Sequence, residues 1–148
     1  IHIGEIDTLS KKYNDKIDLV FAFHVIEHMD FVQIKTFVEK SKEILSDDGV
    51  ILLSFPNGVS PFGRIDQYSD QTHKTVITPE LLKREFIGFE IIKISNAARP
   101  FFHPLVAPFF ALIYLFRTVI EKLTSYTYFL QNMPLDKHMT IILKKNNE

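Results

Sequence analysis

The sequence contains no cysteine, which excludes disulfides and thiolate-bound zinc. That absence suits a reducing compartment, and a cytoplasmic location is the expectation. Neither sign of charge is in excess: the formal charge is −1 and the pI is near 6.7, so there is no electrostatic footprint for a nucleic-acid backbone. No nucleic-acid partner is expected. The uncharged stretch 100–116 is shorter than the ~20 apolar residues a spanning helix needs, and Pro104 and Pro108 interrupt it. No basic start followed by an apolar run reads as a secretory signal. The first residue is Ile1, not methionine, so the chain reads as cut from something longer. What is present suffices for a core: 148 residues at 46% hydrophobic are sized for one globular domain.

The densest pattern lies in residues 18–57. Asp18-Leu19-Val20-Phe21-Ala22-Phe23 is a short apolar run, followed at once by His24-Val25-Ile26-Glu27-His28. Phe31, Ile34, Phe37, Val38, Ile44 and Leu45 then recur at helical spacing, until Asp47-Asp48-Gly49 interrupts them before Val50-Ile51-Leu52-Leu53-Ser54-Phe55. This predicts one βαβ unit. Strands apolar on both faces imply a parallel sheet with helices on each side and a right-handed crossover. Ligands of such sheets bind outside the carboxyl ends of the strands. Those ends carry His24, Glu27 and His28 after one strand, and Pro56, Asn57 and Gly58 after the next.

Elsewhere, residues 1–3 read as the tail of a strand, 4–7 as a polar turn and 9–14 as a connector. Residues 59–75 read as a long loop of functional type. Thr78-Pro79-Glu80 is a helix start with N-cap, proline and acid in order. Gly88 should end that helix, residues 89–94 alternate as a strand, and 139–144 form the last strand. Between these two strands, residues 100–134 form an apolar insertion whose pattern is helical from Pro108 through Leu130, with Arg117, Glu121 and Lys122 on a polar side. A helical cap or dimer surface, or an amphipathic helix lying in a membrane surface, fits residues 100–130.

The segment from Asp18 to Met29, the helix after it, and Leu45 through Asn57 together resemble the fourth-to-fifth-strand region of class I S-adenosylmethionine-dependent methyltransferases. The loop Tyr68-Ser69-Asp70-Gln71-Thr72-His73, the helix beginning Thr78-Pro79-Glu80 and the pair Gly88-Phe89 extend the resemblance over most of residues 4–94. It implies an α/β, mostly parallel Rossmann-like sheet whose last strand is antiparallel. The family's glycine-rich turn and the acidic residue after its second strand are missing, so residues 1–148 are expected to be a partial methyltransferase domain, incomplete at the amino-terminal side. Strand 18–23 would then be an unpaired edge.

The resemblance implies S-adenosylmethionine as cofactor, with Glu5 and Ile6 at the adenine and Phe23, His24 and Val25 lining the methionine arm. It implies a small-molecule, glycan or lipid-linked acceptor. Asp70 and His73, three residues apart on a loop, are the candidate catalytic pair, an acid-oriented imidazole that takes the acceptor's proton. Each of these residues also has an ordinary structural use, as turn acid, core side chain or loop hydrogen bond. No metal is assigned on this reading.

Two rival readings stand beside it. His24-Val25-Ile26-Glu27-His28 fits the H-x-x-E-H pattern of inverted zinc peptidases, which needs both histidines on one helix and a third ligand, with Glu80, Glu85, Glu90 and Glu121 available. His24 directly after a strand speaks against it. A degenerate methyltransferase-like module that binds without catalysing is the other, supported by the missing glycine-rich turn.

Overall fold

The computed structural model describes residues 6–96, 107–129 and 133–146. Its elements in chain order are α1 (Ile6–Lys12), β1 (Ile17–Phe23), a single 3-10 turn (Ile26–His28), α2 (Phe31–Ile44), β2 (Leu45–Pro56), α3 (Gly63–Ser69), α4 (Pro79–Glu85), β3 (Phe89–Asn96), α5 (Ala107–Phe129) and β4 (His138–Lys145). One four-stranded sheet has the order β1-β2-β4-β3. The strands β1 and β2 are parallel, and β4 runs antiparallel to both neighbours, as the sequence predicts.

Alternation along the strands decides which side is core. Ala22, Ile51, Leu53, Phe55, Met139, Ile141 and Leu143 point to one face and are buried there against Ile34, Phe37 and Val38 of α2 and Leu81 and Leu82 of α4. Each such side chain contributes about 1.5–3 kcal/mol of burial free energy. The other face is open at the β1 edge, where Leu19, Phe21 and Phe23 are 49%, 64% and 51% exposed. The two-sided helical cover expected from the apolar strands is therefore one-sided among the described residues.

Local chemistry explains the helix starts. Asp30 caps α2 in a reciprocal box, its carboxylate accepting from the Gln33 amide while the Gln33 side chain accepts from the Asp30 amide. Thr78 accepts from the Leu81 amide at 3.1 Å, with Pro79 at the first helical position.

Three differences from the sequence reading have physical causes. Residues 6–12, read as turn and connector, form α1 and pack on α2. Asp47-Asp48-Gly49 does not break the chain before β2; it bulges within a longer strand, the register jumping from Ile17 opposite Leu45 to Leu19 opposite Val50. The loop 59–75 contains α3, started at Gly63, where an added Cβ would lie 2.1 Å from the Asn57 carbonyl oxygen. Residues 1–3, read as a strand tail, lie outside the described residues, as do Glu5, Phe101 and Phe102. No helix among the described residues is long and apolar enough to cross a membrane.

Candidate active site

The carboxyl ends of β1 and β2 and the first residue of β4 meet at one end of the sheet, because antiparallel pairing sets His138 opposite Pro56. At the end of β1 the His24 amide donates to the Ser54 carbonyl at 2.8 Å, and its backbone takes φ 53°. A histidine in that left-handed region carries a local conformational cost, tolerated because the surroundings fix it. Its ring lies edge-on to His138, centroids 4.8 Å apart, and its Nδ1 is 3.2 Å from Glu27 Oε1.

Glu27 is fully buried, and its Oε2 has no hydrogen-bond partner among the described residues. A buried carboxylate is costly unless compensated, so its position needs a reason. Its backbone carbonyl accepts from the amides of Lys74 and Thr75, at 2.8 and 3.1 Å, and the Thr75 hydroxyl donates to the Met29 carbonyl at 2.7 Å. The loop after α3 is thus pinned onto the turn that follows β1, and it carries His73 against His28, rings edge to face at 4.7 Å.

The predicted Asp70 and His73 pair comes close without joining. The His73 Nε2 lies 3.8 Å from Asp70 Oδ2, outside hydrogen-bond reach, while its Nδ1 donates to the Gln67 carbonyl at 2.9 Å. Asp70 instead accepts from the Thr72 amide (2.8 Å) and hydroxyl (2.6 Å), which hold its carboxyl below the usual carboxylate range. The same Thr72 hydroxyl lies 2.8 Å from His28 Nδ1.

A second group was not singled out from the sequence. Asp66 on α3 meets His138 Nε2 at 2.9 Å and Lys137 Nζ at 3.3 Å. Burial pushes His138 below the ordinary imidazole range and nearby His24 adds to this, outweighing the attraction of Asp66. The signal for His138 was its place at the head of the last strand; it becomes visible once that strand is set antiparallel to β2. Asn57 is structural. Its amide donates to the carbonyls of Pro134 and Asp136, and its oxygen accepts from the Val59 and Ser60 amides.

Of the positions assigned to cofactor, Phe23, His24 and Val25 are exposed at the end of β1. Ile6 sits in α1, not in a turn, and lines an apolar cavity of about 680 Å³ with Tyr13, Val20, Met29 and Val32. No carboxylate is among its lining residues. Another cavity, of about 500 Å³, lies under α5 between Phe62, Ile113, Phe116, Ile120 and Leu135, with the Arg117 to Asp136 ion pair in its wall. His24 and His28 do not share a helical face, since the first follows a strand and the second closes a 3-10 turn. Glu121, one of the third zinc ligands considered, accepts from the Asn96 side chain.

This architecture is the class I S-adenosylmethionine-dependent methyltransferase fold, represented here by its carboxyl-terminal part. No protein-family model and no curated protein matches the sequence. Among solved structures, a SAM-dependent methyltransferase from Archaeoglobus fulgidus is similar over 96% of this chain and 66% of its own, at 25% identity and a TM-score of 0.62. An S-adenosylmethionine-dependent methyltransferase from Mesorhizobium loti is similar over 89% of this chain and 64% of its own, at 13% identity and a TM-score of 0.54. The small RNA methyltransferase HEN1 is similar over 97% of this chain and 16% of its own, at 18% identity and a TM-score of 0.53. The chain thus spans less than two thirds of the length of each.

Proposed function

We propose that this chain is the acceptor-side part of a catalytic unit that transfers a methyl group from S-adenosylmethionine to a small-molecule, glycan or lipid-linked acceptor. The observation that carries the reading is the meeting of His24, Glu27, His28 and His73 at the carboxyl ends of β1 and β2 in a methyltransferase fold, where such sheets bind ligands. Residues 100–134 are then an insertion in a partial domain.

When bound, the cofactor supplies a sulfonium methyl carbon, which the acceptor's lone pair attacks in line while the carbon–sulfur bond electrons return to sulfur. The chain's own work is to position the acceptor and exclude water. Phe23, His24 and Val25 fit the methionine arm as an exposed strand end, and Ile6 fits a ring face. Glu5 is assigned by resemblance alone. No carboxylate lines the Ile6 cavity to accept from ribose hydroxyls, so the cofactor fit within this chain is partial. A hydroxyl or amine acceptor must also shed a proton, and His73, held by the Gln67 carbonyl with Asp70 beside it, stands on that side.

The cavity under α5 is apolar and suits the non-reacting part of an acceptor. Phe109, Leu112, Leu115, Phe116 and Leu123 of α5 are each more than 60% exposed, which favours a second subunit or a membrane surface as the neighbour of residues 100–130. The paired Arg117 gives little attraction to anionic lipid and favours the subunit.

Calorimetric titration of S-adenosylmethionine tests the reading. The chain alone should bind weakly, and the chain extended by its natural upstream sequence should bind tightly. Equal, tight binding by residues 1–148 would contradict the division of the site; no binding by either would favour the non-catalytic module.

A further inference from the structure

We propose that Glu27, His28 and His73 form a binding site for one divalent transition-metal cation of the Mn²⁺ and Zn²⁺ class. One donor atom from each of the three lies within 4.8 Å of the others. The hydrogen bonds around them settle which atoms are free. The Thr72 hydroxyl donates its only proton to Asp70 at 2.6 Å, so toward His28 Nδ1, 2.8 Å away, it must act as acceptor. The proton of His28 is therefore on Nδ1. The Gln67 carbonyl accepts only, so the His73 proton is on Nδ1 as well. In the neutral tautomer these bonds select, the Nε2 of each imidazole is the atom left for a cation, and each ring is held from behind by an oxygen acceptor, the arrangement that orients metal-ligating histidines.

The third donor gives the independent argument. Glu27 is fully buried, His24 engages Oε1 at 3.2 Å, and Oε2 has no partner among the described residues. A cation would compensate that oxygen. Two imidazoles and one carboxylate, with no thiolate, suit Mn²⁺, Fe²⁺ or Zn²⁺ and leave coordination positions open. The donor set differs from that of the zinc-peptidase pattern, since His24 serves the carboxylate and not the cation.

What the cation would do rests on the methyltransferase reading. An acceptor oxygen in an open position would lose its proton more readily next to the cation. His73 would then act as ligand, and the cation, not the imidazole, would promote that loss.

Mn²⁺ alone is titrated into the purified chain near neutral pH, without S-adenosylmethionine or acceptor, following loss of the free-ion electron paramagnetic resonance signal. One saturable site per chain is expected, displaced by Zn²⁺. His73→Asn and His28→Gln should each weaken it by at least tenfold, and Thr72→Val, an exposed residue whose loss spares the core, by about tenfold. His138→Gln, outside the donor set, should leave it unchanged. Absence of a single saturable site, or unchanged affinity in His73→Asn and Thr72→Val variants with native circular dichroism, overturns the proposal. Methyl transfer is not read in this titration, so failure of the enzymatic reading and failure of the cation site remain distinct.

Discussion

Replacing Asn57 by alanine should destabilise the protein by about 2–3 kcal/mol. The side chain is fully buried and makes four hydrogen bonds, to the Pro134 and Asp136 carbonyls at 2.8 and 3.0 Å and from the Val59 and Ser60 amides at 3.1 and 3.3 Å. The bond to Pro134 is wholly buried, so truncation leaves that carbonyl without a partner or water, at about 1–3 kcal/mol; the Ser60 amide keeps the Asn57 main-chain carbonyl at 3.2 Å, and the two part-buried bonds add less because water can reach them. Against typical domain stabilities of about 5–15 kcal/mol this is a large share. Asn57→Asp separates the contributions: it restores an acceptor for the two amides but turns a carboxylate toward two carbonyls, so it should not rescue. Urea unfolding followed by circular dichroism reads both. A loss below about 1 kcal/mol in Asn57→Ala, or recovery in Asn57→Asp, would refute the view that this side chain holds the 133–137 segment, and with it His138, against the end of β2.

Gly63→Ala should cost about 1–3 kcal/mol in the same assay, since its Cβ would meet the Asn57 carbonyl oxygen and α3 would have to shift; wild-type stability would show that α3 moves freely. Burial holds the folded-state pKa of His138 below the ordinary imidazole value, so its contribution is fully present above about pH 6.5 and lost as pH falls through the lowered folded value. His138→Asn should therefore flatten the acid limb of stability against pH, and an unchanged slope would contradict this. Deleting residues 100–130 should change sedimentation or vesicle binding, and if neither changes the exposed face of α5 is not an interaction surface.

The elements legible in the sequence were those with a complete local signal. The run 18–23, the helical spacing from Phe31 and the Thr78-Pro79 cap each carry their own period or cap, and β1, α2 and α4 follow them closely. The antiparallel last strand and the helix of residues 107–129 were visible for the same reason. The helices α1 and α3 have seven residues each and begin among glycine or acid, so propensity favoured turns and only packing decided otherwise. At the site, His24, Glu27, His28, Asp70 and His73 stood out because they follow strands or lie on a loop. Asp66 and His138 did not, since they are 72 positions apart and meet through strand pairing. Nor could spacing reveal that Thr72, not His73, engages Asp70, because that choice is made by the turn geometry of the loop.

The central claim is tested most directly by incubating the protein, extended by its natural upstream sequence, with methyl-tritiated S-adenosylmethionine and a cell extract fractionated into protein, nucleic acid, lipid and small molecules. The account predicts label in the lipid or small-molecule fraction, glycans included, and its loss in a His73→Ala variant that still binds the cofactor. Cofactor bound with no label transferred to any fraction, or transfer undiminished in His73→Ala, would contradict it.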